Sequence, residues 1–209
     1  MDEKLKIIAR RAAQLFIKFG IRNISMDDIC RDQCISKKTL YKYVKNKNDL
    51  LETIFDLMHE EEGEKHKERV KTAKNAIDQL LEVSKIVSEN VKQFNPTLTY
   101  ELRKYYPQIF QKFIDVKRKN VYEYTKINLK KGIDEGLYRP EVNIEFTARF
   151  YVQKLESMHN SDFLESTDFT FEKIFEIMFE NHIRGISNQK GIEYLEKQKK
   201  SLNFKMEEK

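Results

Sequence analysis

Ser25-Met26-Asp27-Asp28-Ile29-Cys30-Arg31-Asp32-Gln33-Cys34-Ile35-Ser36-Lys37-Lys38-Thr39-Leu40-Tyr41-Lys42-Tyr43-Val44-Lys45-Asn46-Lys47-Asn48-Asp49-Leu50-Leu51 carries the densest local folding signals of the chain. Ser25 stands three residues before Asp28, the spacing of a capping box, so a helix is predicted to begin at Met26. Ile29 faces the core, the turn falls at Gln33-Cys34-Ile35, and Ser36 caps the next helix. Within that helix Leu40 and Val44 point inward, leaving Lys37, Lys38, Thr39, Tyr41 and Lys42 outside with Tyr43 at its end. Asn46 then caps a further helix, with Asp49 at its third position. Two short helices, a tight turn and the start of another form the pattern that lays one helix in the major groove of duplex DNA.

The outward residue types fit that partner. Lysines near the start of a recognition helix reach guanine acceptors, while the hydroxyls of Thr39, Tyr41 and Tyr43 bond phosphates. Ser25, at a helix N-terminus with free N–H groups, is expected both to cap and to contact a phosphate. Lys47 sits unfavourably toward its helix dipole, which makes sense if a phosphate lies there. For any one of these residues a solvated helix face is an equal reading. Gathered on one short helix after a capped helix and a turn, the set points to DNA. Charge agrees: residues 1–50 hold 12 Lys and Arg against 6 Asp and Glu, the other 159 hold 27 against 28, and the net charge is +5. The whole positive excess lies beside the predicted reader.

Upstream, Leu5, Ile8, Ala12, Leu15 and Phe19 recur at steps of three and four, with Ala9 and Phe16 alongside, the apolar face of a helix of about four turns that Gly20 stops. With 6 Gly and 3 Pro in 209 residues and no strand-like runs, the chain is expected to be all-α.

Residues 8–51 resemble the DNA-binding domain of the tetracycline-repressor-like (TetR) family of bacterial regulators. The likeness rests on Ile8, Ala12-Ala13, Leu15-Phe16, Gly20, Ser25-Met26, Asp28-Ile29, Ile35-Ser36-Lys37, Thr39-Leu40-Tyr41, Tyr43, Lys47 and Asp49-Leu50-Leu51. Cys34 departs from it, standing where the family usually has glycine, with a backbone cost expected if φ there is positive. Val44 replaces the usual phenylalanine, a smaller core residue expected to leave the domain slightly less stable. The resemblance implies a three-helix DNA-binding domain over residues 1–46 and a helical regulatory and dimerisation domain over 47–209. It implies a homodimer on a pseudo-palindromic operator, more often a repressor than an activator, released by a small-molecule effector that is largely apolar.

Beyond residue 51, the charged run from His59 to Lys71 reads as an exposed helix held by i,i+4 pairs. Further helices are predicted over 77–94, from Asn95-Pro96 to Tyr106-Pro107, from Ile109 to Gly136, over 143–160 and over 170–187. The Lys/Glu-rich residues 188–209, with Ile192, Leu195, Leu202 and Phe204, read as a short docked helix with a frayed end. In the family the last two long helices pair two subunits, which here implicates Phe146, Phe150, Phe171, Ile174, Phe175 and Met178; the rival reading is a helix buried in a monomer. An effector pocket would draw on Phe94, Tyr100, Tyr105, Tyr106, Phe110, Phe113, Tyr122, Phe150 and Met158, each of which reads more readily as core.

Cys30 and Cys34 are four apart without a clustered histidine and read as small buried hydrophobes of a reducing compartment. His59 and His66 lie in the charged run, and His159 and His182 lack a recognisable ligand partner, so no metal or other cofactor is expected. No phosphate loop, nucleophile elbow or zinc-protease helix occurs, so no catalytic residue is assigned. Apolar runs are too short for a membrane span or a secretory signal, and a cytoplasmic protein is expected. The residues leave open two other readings, a DNA-binding protein without sequence preference and a small-molecule-binding helical protein.

Overall fold

The structure is a computed structural model and describes residues 1–92, 95–158 and 170–201. Ten α-helices are described: α1 Glu3–Phe19, α2 Met26–Asp32, α3 Lys37–Tyr41, α4 Lys47–Lys71, α5 Ala76–Lys92, α6 Pro96–Tyr105, α7 Pro107–Asp134, α8 Ile144–Met158, α9 Phe171–Ile186 and α10 Gln189–Ser201. Among the described residues extended pairing is limited to one isolated bridge, between Tyr138 and Ser187. The expected all-α class is what is found.

Local chemistry sets the boundaries. Asp2 begins α1 by accepting hydrogen bonds from the N–H groups of Lys4 and Leu5, and Gly20, at φ 83°, ends it by returning its N–H to the Phe16 carbonyl. Ser36, Asn46, Asn95, Asn143 and Thr170 each accept from a backbone N–H three residues on, at the starts of α3, α4, α6, α8 and α9. Pro96 and Pro107 occupy the first turns of α6 and α7, where a missing N–H costs nothing.

The described residues form two compact units, one of Met1–Lys67 with Gln93–Lys117, the other of Glu68–Lys92 with Arg118–Lys209. In the first unit Ile8, Ala9, Ala12 and Phe16 of α1, Ile29 of α2, Leu40, and Val44 just after α3 close on Leu50, Leu51, Ile54 and Leu57 of α4, with Leu102 of α6 and Ile109 of α7. A boundary at 46/47 therefore cuts through one core, because the first turns of α4 complete it and α6 adds to it. Burying each of these leucines and isoleucines contributes about 1.5–3 kcal/mol relative to leaving it exposed. Phe19, expected on the buried stripe, is instead exposed with the Lys18 ammonium 4.9 Å from its ring centre.

In the second unit α9 packs against α5 and α8. Ile77, Leu80, Leu129, Tyr151, Met158, Phe175, Phe179, Ile183 and Leu195 form its core. A buried polar chain crosses it: the Tyr138 hydroxyl donates to Asn128 Oδ1 at 3.0 Å, and Asn128 Nδ2 donates to the Ala76 carbonyl at 2.8 Å. A Cβ on Gly132 would fall 2.1 Å from the Tyr138 ring, so only glycine lets that ring lie down. The α10 helix docks through buried Leu195 and a hydrogen bond from the Tyr194 hydroxyl to Asp78 at 2.9 Å. Phe94, His159, Leu202 and Phe204 lie outside the described residues.

Cys34 has φ 52° and its side chain is exposed, which corrects its expected burial; Cys30 is buried. The turn needs a left-handed residue there, and that conformation swings the cysteine side chain away from the core. The expected backbone cost is thus present. Cys34→Gly removes it and is predicted to raise the urea midpoint by the equivalent of about 1 kcal/mol with an unchanged m-value; a lower midpoint contradicts that account.

Candidate nucleic-acid interface

The predicted reader is α3, and its inner side is fixed by Leu40 and, just beyond its end, Val44, each at most 1 % exposed. Its outer side carries the predicted residues in different states of commitment. Lys37 reaches Asp27 of α2 with Nζ 2.8 Å from Oδ2, and that bond raises its pKa. Both side chains of the pair are largely exposed, so the bond contributes little and is readily exchanged. Lys38 and Lys42 are exposed and have no carboxylate partner among the described residues. Tyr41 is 48 % exposed. The Thr39 hydroxyl lies 2.8 Å from that of Ser36. Tyr43 is half-buried against the core, with the Lys42 ammonium 5.9 Å from its ring centre.

At the start of α2 the capping box is complete. Ser25 Oγ accepts from the Asp28 N–H at 3.2 Å and donates to Asp28 Oδ2 at 2.5 Å, and that oxygen also accepts from the Ser25 N–H at 2.8 Å. These bonds, with a further one from Arg31, hold the Asp28 carboxyl down at about 2. The Ser25 hydroxyl proton is consequently engaged by Asp28, which leaves it an acceptor-rich group rather than a phosphate donor.

Lys47 points elsewhere than expected. Its ammonium donates to the Ile21 and Ile24 carbonyls, the latter at 2.6 Å, and lies 5.5 Å from the centre of the Phe16 ring. Burial lowers its pKa, opposed by the charges of Glu101 and Asp28. Its position in the first turn of α4 is thus explained by carbonyl groups of the α1–α2 connector. Those carbonyls need a donor, and no phosphate is required.

Sequence reasoning missed the other half of this arrangement. Glu101 of α6 accepts from the Ile21 N–H at 2.6 Å, and a Cβ on Gly20 would approach it to 3.2 Å. Arg22 donates to the Tyr105 hydroxyl at 2.9 Å. Asn95, before α6, donates to the Ile17 carbonyl at 3.4 Å. Side chains from 78 to 83 residues away therefore satisfy the connector and the end of α1.

The aromatic residues expected to line a pocket divide between the units. In the first, Tyr100 and Tyr105 are exposed, Tyr106 and Phe110 pack on the core, and Phe113 stacks on Phe55 at 4.6 Å. Phe113 also lines a shallow groove with Glu52, Phe55, Asp56, His59, Ile109, Lys112 and Val116. In the second, Met158 is buried, Phe150 is exposed, and the Tyr122 hydroxyl bonds Glu145. Of the residues expected at a subunit interface, Phe146 and Phe150 are 65 % and 48 % exposed and stack 5.9 Å apart. Ile177, an apolar residue of the same predicted pairing helix, is exposed on α9, and Phe171, Ile174 and Met178 are half-buried. Phe175 is buried in the core of its own unit, on the helix that packs against α5 and α8, which corrects its expected place at a subunit contact. Among the described residues no group of three or more His, Cys, Asp or Glu is placed to hold a metal, and no helix is long and apolar enough to cross a membrane.

A capped helix, a turn through a positive-φ residue, and a short helix with its apolar side locked and its basic side exposed define a helix-turn-helix DNA-binding domain. Residues 8–54 match the family described as "Bacterial regulatory proteins, tetR family". The chain is 25 % identical over 151 residues to the uncharacterized HTH-type transcriptional regulator YhgD of Bacillus subtilis (strain 168), covering 66 % of this chain and 73 % of that one. Its fold is similar to that of a transcriptional regulator from Cytophaga hutchinsonii ATCC 33406, with a TM-score of 0.75, 19 % identity, and 90 % of this chain and 100 % of that one covered. A TetR-family regulator from Cytophaga hutchinsonii gives a TM-score of 0.69 and 17 % identity, with 90 % and 96 % covered.

If Lys47 is a strut, Lys47→Ala strands two connector carbonyls, and urea unfolding is predicted to show a loss of about 1–3 kcal/mol. A loss within about 0.5 kcal/mol, as for an ordinary surface site, contradicts that role.

Proposed function

We propose that this chain is a DNA-binding transcriptional regulator of the TetR family, a ligand-responsive repressor acting in the cytoplasm as a homodimer on a pseudo-palindromic operator. The observation that carries the reading is the outer side of α3: Lys38 and Lys42 without carboxylate partners beside exposed Tyr41, on a helix whose opposite side is locked by Leu40 and Val44. Lys38 and Lys42 contact base edges and phosphates, joined by Lys37 once it exchanges Asp27 for DNA, while Thr39, Tyr41 and Tyr43 hold the backbone. Ser25 caps α2 and Lys47 braces the connector, so both serve the interface by holding the reader in place.

The exposed Phe146–Phe150 stack on α8, with Ile177 exposed on α9, supports a second copy as the covering partner. Two readers so joined enter successive major grooves about one helical turn apart. Release needs an effector with differential affinity of only a few kcal/mol for dimers of altered reader spacing, and a largely apolar small molecule fits the aromatic content. In the first unit α6 offers a handle on the reader, because Glu101 and Tyr105 hold the connector that leads into α2.

The test is selection of bound fragments from the genomic DNA of the source. Enriched fragments are expected to share an inverted repeat with half-sites about 10 bp apart; equal recovery of all sequences at fixed salt overturns the repressor reading in favour of binding without sequence preference. Phe150→Asp is expected to give monomers by sedimentation where the unaltered chain gives dimers. A Phe150→Asp dimer of unchanged stability places the subunit contact elsewhere.

A further inference from the structure

On the exposed side of α6 four side chains form a ladder within the first unit. The Arg22 guanidinium lies over the Tyr105 ring at 4.3 Å and donates to its hydroxyl at 2.9 Å. On the same ring the Lys104 ammonium lies 5.5 Å from the centre, and it donates to the Tyr100 hydroxyl at 2.8 Å. Tyr100 and Tyr105 are 57 % and 39 % exposed.

The hydrogen-bond inventory of this ladder is one-sided. Each tyrosine oxygen accepts from a cation, so each hydroxyl proton is left to donate outward, as do the remaining N–H groups of Arg22 and Lys104. Neither cation has a carboxylate partner among the described residues. Elsewhere in the same unit Lys6, Arg10, Arg31, Lys37 and Lys112 each face one. The bond to Tyr100 raises the Lys104 pKa, so the ammonium stays charged. A surface that only donates and carries two uncompensated positive charges fits a partner that only accepts and is anionic, which is the chemistry of a phosphodiester backbone.

The ladder is tied through Arg22 to the segment that leads into α2. Arg22 belongs to the connector whose Ile21 and Ile24 carbonyls hold Lys47, and that connector runs directly into Ser25 and α2. We infer that Arg22, Lys104, Tyr100 and Tyr105 form an auxiliary site for the DNA backbone flanking the segment read by α3, extending the footprint onto α6. This rests on the DNA-binding reading above. Its aromatic rings keep the two cations in fixed positions, so the site adds affinity and salt dependence without sequence preference.

The experiment measures binding of a fluorescein-labelled random-sequence duplex of ~40 bp across a salt series, for the unaltered chain, the double variant Arg22→Gln/Lys104→Gln and the control Lys190→Gln on α10. Each lost phosphate contact flattens the slope of log affinity against log salt by about 0.9, so the double variant is expected to be shallower by about 1.8. Lys190→Gln is expected to match the unaltered chain. Both altered side chains are exposed, and circular dichroism confirms that the fold persists. A double-variant slope equal to that of the unaltered chain, or changed no more than by Lys190→Gln, overturns the inference while leaving the reader intact. Failure of the unaltered chain to bind duplex at low salt overturns the DNA-binding reading itself.

Discussion

The connector from Gly20 to Ser25 is the constraint on which the reader depends. It carries backbone N–H and C=O groups that face protein and must be paired there, and two charged side chains do the pairing. The Lys47 ammonium takes the Ile21 and Ile24 carbonyls, and the Glu101 carboxylate takes the Ile21 N–H. The connector is thereby held from α4 on one side and from α6 on the other, and α2 leaves it in a fixed direction. Removing either side chain would leave a polar backbone group without a partner, which costs more than the bond itself contributes.

From that fixed point the proposed DNA-binding surface follows by division of labour. Ile29, Leu40 and Val44 anchor the inward sides of α2 and the α3 segment in the core shared with α1 and α4. The outward side of α3 is then free to concentrate charge, and Lys38 and Lys42 remain uncompensated. In the second unit many cations face carboxylates: Arg69 with Glu89, Lys85 with Glu82, Lys126 with Glu145 and Lys199 with Glu180. A polyanion therefore meets a local attraction at the reader rather than a uniformly basic protein, which favours an oriented approach.

Much of this was legible in the sequence because its cues act over three or four residues. Ser25 with Asp28, Ser36, Asn46 with Asp49, and Asn95-Pro96 place helix starts correctly, and the periodic apolar residues of α1, Phe19 apart, mark its inner face. What was not legible depends on partners distant in the chain. The direction of Lys47 is decided by carbonyls 23 and 26 residues back, and the role of Glu101 by an N–H 80 residues back, so neither has a spacing that reveals it. Phe150 and Phe175 both sit on periodic helices of similar composition, and only packing makes one exposed and the other buried. Cys34 reads as a hydrophobe by type, but its positive φ turns it outward.

The outer side of α3, held by this connector, is the surface proposed to meet DNA. Backbone amide hydrogen exchange on the whole chain, with and without a saturating duplex at low salt, tests it most directly. Added protection is expected over residues 25–44 and none across α10. Protection appearing in the second unit with residues 25–44 unchanged would contradict it.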